Sequence, residues 1–285
     1  MSKGLSLHIG INECDPEHYG GWSGPLKGCE SDCDAMSKIA LAKGFDPVVL
    51  KTKDATRQNV IDTIADIAAK CDAGDAFLLT YSGHGNTHKD HFGDEADGRD
   101  ETWVLHDDEL FDDEIRGLLT KFAPGVRITL VSDSCHSGSV SKSGPPGLDG
   151  GPPGEGVFLD PVGADDLVRA MPRDVSENVA VKWADHLRGI RNSELARIKD
   201  PVRAHVVAIS GCRDDQRSYE REGRGLFSRA LEKVWGDGQF RGNYQQLRDQ
   251  IVAEVGALPN STQEPQITTD GDRSFDMRGE EPFKI

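Results

Sequence analysis

The stretch VRITLVSDSCHSG (126–138) decides the fold, because it has the pattern of a strand that is apolar on both faces and ends at polar residues. Two other stretches share this pattern. DAFLLTYSGHG (75–85) ends at Gly-His-Gly, and AHVVAISGC (204–212) ends at Gly-Cys. Strands that are apolar on both faces are typical of a parallel sheet covered by helices on both sides. In such sheets, functional residues collect at the carboxyl ends of the strands.

Around these three strands, helical and strand-like segments alternate along the chain. Apolar spacing predicts helices at 31–44, 56–71, 112–122, 226–235 and 244–256, and further strands at 5–11, 47–52 and 265–270. The alternation indicates an α/β fold, with a mainly parallel β-sheet sandwiched between helices.

The segment 139–203 differs from the rest of the chain. Twelve of the 25 residues from 139 to 163 are Gly or Pro, and residues 164–203 are polar, weakly periodic and rich in Arg and Lys. We interpret 139–203 as a flexible insertion between two strands of one domain. The single domain 1–285 then has a large part, 1–138, and a small part, 204–285.

Composition narrows the possible functions. The 285 residues carry a net charge of −16, and twelve Asp or Glu lie between 90 and 114, so a nucleic-acid partner is not expected. No run of eighteen apolar residues indicates a membrane span. The amino-terminal MSKGLSLHIGI has no signal-peptide pattern, so we expect a cytoplasmic protein whose six cysteines are free thiols.

Two strand ends carry groups suited to nucleophilic catalysis. His84 follows one apolar strand and Cys135 follows another, 51 residues later. At adjacent strand ends the imidazole could take the proton of the thiol, and the thiolate would be the nucleophile. The backbone N–H groups of Gly85 and Cys135 are candidates to stabilise an oxyanion. Each residue alone is more often structural, but the matched contexts favour a catalytic pair.

The motifs YSGHG (81–85) and DSCHSG (133–138) resemble those of caspase-like cysteine peptidases, and within that clan the metacaspases. DEADGRDE (94–101), DDE (112–114) and SGCRDDQ (210–216) also resemble metacaspase sequence, in the expected order. The resemblance covers about residues 3–138 and 204–270. It implies the caspase-like fold and an intracellular endopeptidase, a hydrolase with Cys135 as nucleophile and His84 as general acid and base.

The resemblance also implies a specificity pocket for Arg or Lys before the scissile bond. The matching positions are Cys29, Asp32, Ser82 and Asp133. Spacing agrees, because Ser82 and Asp133 each lie two residues before His84 and Cys135, and such residues point to the same side of an extended chain. An acidic pocket suits the forked guanidinium of Arg. Protein or peptide substrates with Arg or Lys at this P1 position are therefore the expected partners.

Many metacaspases need calcium, and by resemblance the ligands here would be Asp100, Asp112 and Asp113. Oxygen-rich clusters suit Ca²⁺. The segment between Asp100 and Asp112 is shorter than is usual in the family, and Lys142 stands where the family places a further Asp. A solvated acidic surface is therefore the alternative interpretation of these residues.

The family often processes itself between the large and small parts, which would make this chain a zymogen. The basic residues of the insertion are candidate cleavage sites, and the sequence does not rank them: Lys142, Arg169, Arg173, Lys182, Arg188 and Arg191. No dinucleotide or phosphate-binding glycine motif is present, so no organic cofactor is expected. We expect a monomer. A non-catalytic scaffold of caspase-like fold and a peptidase that cuts after Asp are the alternative functions.

Overall fold

The computed structural model describes residues 2–89, 99–135, 166–213, 216–259 and 261–285. Six strands form its main sheet: β1 (Gly4–Gly10), β2 (Asp46–Lys51), β3 (Ala76–Ser82), β7 (Arg127–Asp133), β9 (His205–Ser210) and β12 (Gln266–Gly271). Their spatial order is β12-β9-β7-β3-β1-β2, and all pairs are parallel except β12 with β9. The predicted α/β sandwich with a mainly parallel sheet is confirmed.

Two small sheets, which the sequence analysis did not predict, lie beside the main one. One contains β4 (Gly85–Lys89), β5 (Arg99–Val104) and β6 (Glu109–Phe111), and the other contains β8 (Leu167–Val168), β10 (Tyr219–Arg221) and β11 (Arg224–Gly225). The second sheet joins residues before β9 to residues after it, and it lies at the candidate site described below.

The described residues also contain seven α-helices: α1 (Cys29–Ala42), α2 (Arg57–Ala68), α3 (Asp112–Leu119), α4 (Arg173–Lys182), α5 (Ala184–Arg191), α6 (Leu226–Trp235) and α7 (Tyr244–Gly256). None of the helices in these ranges is both long and apolar enough to cross a membrane. Residues 166–203, which composition assigned to a flexible insertion, contain β8, α4 and α5. Packing on the domain, rather than periodicity within the segment, explains this difference.

Alternation along the central strands divides the core into two layers. In β3, Phe77, Leu79 and Tyr81 pack in one cluster with residues of α2 and α3. Leu78 faces the opposite cluster, which contains residues of α1, α6 and α7. Both layers are fully buried at the sheet, which explains why these strands are apolar on both faces.

A buried histidine interrupts this apolar pattern. His8 of β1 is buried, and its ring nitrogens contact the hydroxyls of Thr80, at 2.9 Å, and Ser6, at 3.0 Å. Burial lowers the pKa of His8 to about 4, because the imidazolium loses its hydration. Between about pH 4 and pH 6.5, the His8 ring is therefore neutral in the folded protein and protonated in the unfolded chain.

The stability of the protein should consequently depend on pH through His8. Because its pKa is lowered on folding, its stabilising effect is complete above pH 6.5 and is lost as the pH falls towards 4. We expect the free energy of unfolding to fall by about 3 kcal/mol over this interval on account of His8. Denaturant unfolding of wild type and His8→Gln at several pH values measures it.

The His8→Gln variant should show a shallower slope than wild type between pH 6.5 and 4. Some slope should remain, since the pKa of His84 is also lowered to about 4 by burial. Identical slopes in the two proteins would contradict this assignment.

Candidate active site

The site lies at the carboxyl ends of β3 and β7, which are neighbours in the sheet. Ser82 pairs with Asp133 at the ends of these strands, so His84 and Cys135 leave the sheet side by side. A Cβ atom on Gly85 would come within 2.0 Å of the Cys135 carbonyl oxygen, so this contact requires glycine. The expected juxtaposition of the two strand ends is therefore present.

His84 is buried and held from the amino-terminal side of the chain. Its Nε2 lies 3.0 Å from the Gly24 carbonyl oxygen, and its ring centroid lies 4.9 Å from that of Trp22. Since a carbonyl only accepts, Nε2 carries the hydrogen and Nδ1 is the basic nitrogen of the neutral ring. Burial lowers the pKa of His84 to about 4, although the Gly24 carbonyl acts in the opposite direction. No sequence pattern indicated the roles of Trp22 and Gly24.

Cys135 is also buried and neutral in this state. Its Sγ accepts a hydrogen bond from the Ser218 backbone N–H at 3.0 Å. Burial raises the pKa of the thiol to about 12, and the Ser218 N–H only partly offsets this. No hydrogen bond joins the thiol to the His84 ring among the described contacts. Because the pKa of the Cys135 thiol is raised and the pKa of the His84 imidazole is lowered, both groups are uncharged at neutral pH.

A segment of the same chain, residues 166–171, lies across these groups, and we call it the cleft segment. The carbonyl oxygen of Arg169 accepts hydrogen bonds from the N–H groups of Gly85, at 3.0 Å, and Cys135, at 3.2 Å. These are the two donors that the sequence analysis selected for an oxyanion. After Arg169, the Met171 N–H donates to the Gly85 carbonyl at 2.9 Å. The Arg169–Ala170 peptide bond is thus held over the candidate catalytic pair.

The side chain of Arg169 enters a buried acidic pocket. Its Nη2 lies 2.6 Å from Asp32 Oδ2, and its Nη1 lies 2.9 Å from Asp133 Oδ2 and from Ser82 Oγ. Burial opposes the charge of Arg169, but the attraction of Asp133 and Asp32 outweighs it and the pKa of the guanidinium is raised. The structure thus brings Asp32, Ser82 and Asp133 together around one guanidinium.

Cys29, the fourth expected pocket residue, begins α1 and is fully buried. Burial raises the pKa of its thiol to about 12, and the positive charge of Arg169 acts against this rise. Cys29 therefore lies beside the pocket as an uncharged thiol and does not form an ion pair with Arg169.

A third carboxylate, which was not predicted from the sequence, lies in this pocket. Glu220 of β10 is buried, and its Oε2 lies 3.5 Å from Arg169 Nη2. Its other oxygen accepts the Lys27 backbone N–H at 2.8 Å. Arg224 offsets part of the negative charge, with its Nε 2.8 Å from Asp32 Oδ1. A single Glu in a short polar strand carries no pattern that sequence reasoning could have used.

Hydroxyl groups fix the orientation of Asp133. Ser218 Oγ donates to one carboxylate oxygen at 2.6 Å, and Ser228 donates to the other through Oγ at 2.6 Å and through its N–H at 3.1 Å. Ser218 therefore contacts both the thiol of Cys135 and the acidic pocket. Charge-assisted bonds of this kind hold a carboxylate in one position.

The expected calcium ligands do not form a metal site among the described residues. Asp100 lies in β5, 3.3 Å from the Nε of Arg191, while Asp112 and Asp113 form the first turn of α3. Within the described ranges, no group of three or more His, Cys, Asp or Glu side chains is placed to hold a metal ion. Residues 90–98 and Lys142 lie outside these ranges.

Comparisons with known proteins agree with this fold. A family model described as the caspase domain matches residues 3–275. The chain is 31% identical over 254 residues to Metacaspase-1 of Schizosaccharomyces pombe, covering 81% of this chain and 58% of that protein. It is 36% identical over 151 residues to Metacaspase-4 of Arabidopsis thaliana, covering 49% and 34% respectively. A crystal structure of protein GSU0716 from Geobacter sulfurreducens has a TM-score of 0.80 and 37% identity, and the match covers 99% of both chains.

The chain therefore belongs to the caspase-domain family of cysteine peptidases. Within that class its curated relatives named above are metacaspases, which confirms the resemblance seen in the motifs. The chain spans 58% of one of these two relatives and 34% of the other.

Proposed function

We propose that this chain is an endopeptidase that cleaves after Arg or Lys with Cys135 and His84, and that it cleaves itself between Arg169 and Ala170. The position of Arg169 carries the proposal. Its guanidinium lies among carboxylates while its carbonyl oxygen accepts from the N–H groups of Gly85 and Cys135. A substrate residue before a scissile bond needs both contacts at once.

The chemistry follows from these positions. The thiol of Cys135 gives its proton to Nδ1 of His84 as Sγ forms a bond to the carbonyl carbon of the residue in the pocket. The N–H groups of Gly85 and Cys135 stabilise the negative oxygen that develops. The C–N bond then breaks, His84 protonates the leaving amine, and water hydrolyses the thioester to release the carboxylate and restore the thiol.

The burial of the catalytic thiol supports the part of the proposal that makes this chain a zymogen. The cleft segment covers the thiol, which is buried and has a raised pKa of about 12, so that a substrate from solution cannot reach it. Among the candidate cleavage residues within the described ranges, Arg169 alone enters the pocket. The other four lie at the start of α4, at its end or in α5: Arg173, Lys182, Arg188 and Arg191. This placement favours the Arg169–Ala170 bond as the first to be cut.

A panel of reporter peptides that differ only in their P1 residue tests the specificity. We expect kcat/KM to be about tenfold higher for Arg than for Lys, because two guanidinium nitrogens contact Asp32, Asp133 and Ser82 where one ammonium would contact fewer. We expect no measurable cleavage after Asp, since the pocket would repel a carboxylate.

The panel also separates the alternatives. The Glu222→Gln variant serves as a control for loss of a carboxylate outside the pocket, because Glu222 is exposed and pairs with Arg229. It should keep the P1 preference of the wild type. Preference for Asp at P1 would support the rival specificity and contradict ours. No cleavage of any peptide, together with an intact Arg169–Ala170 bond, would favour the non-catalytic scaffold.

Calcium activation is a separate part of the proposal and depends on the family resemblance. The described residues do not assemble the site, and Asp100 already contacts a cation, Arg191. Repeating the panel with a chelator, and recording the melting temperature with added calcium, tests it. Unchanged rates and melting temperatures would remove calcium from the proposal.

A further inference from the structure

The cleft segment runs along β10 as an added antiparallel strand. Val168 pairs with Tyr219, Leu167 pairs with Glu220, and the Arg169 N–H donates to the Ser218 carbonyl at 2.9 Å. If Arg169 occupies the P1 position, as proposed above, the register places Val168 at P2, Leu167 at P3 and Asp166 at P4. The same backbone contacts are open to any extended peptide.

Asp166 makes a specific contact at the far end of this strand. Arg221 of β10 donates to its two carboxylate oxygens, with Nε at 2.9 and 3.1 Å and Nη2 at 2.7 Å. The Asp166 side chain is only 3% exposed, whereas that of Arg221 is 21% exposed. Hydrogen bonding to Asp166, and its charge, raise the pKa of Arg221. This is the bidentate geometry by which arginine recognises carboxylates.

Arg221 is also held in place from its other side. Its Nη2 donates to the Pro259 carbonyl at 3.3 Å, which orients the guanidinium towards the strand position of Asp166. Between the two charged ends, Leu167 and Val168 are half-buried. The segment therefore carries two opposite charges, each paired with the main body of the domain. Asp166 contacts the cation of Arg221, and Arg169 contacts the carboxylates of the pocket. The two charged residues lie about 10 Å apart along an extended chain.

We propose that Arg221 is a specificity-determining residue that selects an acidic side chain at P4. The preferred substrates would then be extended peptides of the form Asp/Glu-x-x-Arg. This inference rests on the proposed function, because it takes the Arg169 pocket as the P1 site. It adds a second, oppositely charged subsite, which rejects peptides that are basic throughout.

Two reporter peptides test the P4 subsite, Asp-Leu-Val-Arg and Lys-Leu-Val-Arg, each ending in the same leaving group. We expect the kcat/KM of wild type to be about tenfold higher for the Asp peptide than for the Lys peptide. This factor corresponds to replacing one partly exposed ion pair with one repulsive pair. Arg221→Glu should reverse the preference. Arg229→Glu, with the same change of charge at an exposed residue, should keep the wild-type preference.

The cis reaction gives a second measurement on the full chain. Asp166→Lys should slow the Arg169–Ala170 cut, and the double variant Asp166→Lys with Arg221→Glu should restore it. Equal cleavage of the two peptides by wild type, or no rescue in the double variant, would overturn the P4 inference while leaving cleavage after Arg intact. If neither peptide is cleaved and the chain stays whole, the proposed function fails and this inference falls with it.

Discussion

Replacing Cys135 with alanine is expected to lower kcat/KM on an Arg-ending reporter by at least about 1,000-fold, because it removes the thiol proposed to attack the carbonyl that the Gly85 and Cys135 N–H groups hold. The same change should leave the Arg169–Ala170 bond uncut during expression. Reporter hydrolysis and the mass of the purified chain measure the two effects.

Cys135→Ala removes one buried sulfur atom and its contact with the Ser218 N–H, a small change in volume, so this variant should remain folded. Cys71→Ala is a matched control, because Cys71 is a buried thiol that follows α2. It should keep wild-type activity. A Cys135→Ala protein that cleaves the reporter at the wild-type rate would end the assignment of this residue as nucleophile.

Replacing Arg169 with alanine is expected to abolish the cut at 169–170 and to expose the thiol. Without the guanidinium, Asp32, Asp133 and Glu220 repel one another, and the free energy of unfolding should fall by roughly 3 kcal/mol. Loss of this anchor should also free the cleft segment. We expect labelling of Cys135 by a bulky thiol reagent to become at least about tenfold faster, which peptide mass mapping measures.

Arg173→Ala provides the control for this variant. Arg173 starts α4 only four residues later, and its side chain is 92% exposed. It should not change the cleavage site or the labelling rate. Slow labelling of Cys135 in Arg169→Ala, at the wild-type rate, would show that Arg169 does not hold the segment over the thiol.

The candidate catalytic pair could be predicted from sequence because its signals are local. His84 and Cys135 each end an apolar strand, and parallel strands bring their carboxyl ends to one edge. Asp32 came from the family resemblance instead, since its contact with Ser82 joins residues 50 positions apart and leaves no periodic pattern.

The rest depends on contacts that only the folded chain creates. Arg169 is fully buried, and a sequence gives no reason to bury an arginine unless its three carboxylate partners are already known. Glu220 and Arg221 are adjacent in a short polar strand, yet they contact opposite ends of the cleft segment. The docking of α4 and α5 is likewise tertiary. Trp183 stacks on His18 at 5.0 Å, and His186 Nε2 lies 2.8 Å from Asp108.

The adjacency of β7 and β9 has a consequence for the proposed cut. The bond between Arg169 and Ala170 lies in the connection between these two paired strands, so the two polypeptides produced would each keep part of one continuous sheet. They would separate on a denaturing gel but migrate together in native mass analysis. Cleavage of this one peptide bond would thus leave a stable heterodimer. Because peptide ligation is not spontaneous, activation by this cut would be irreversible.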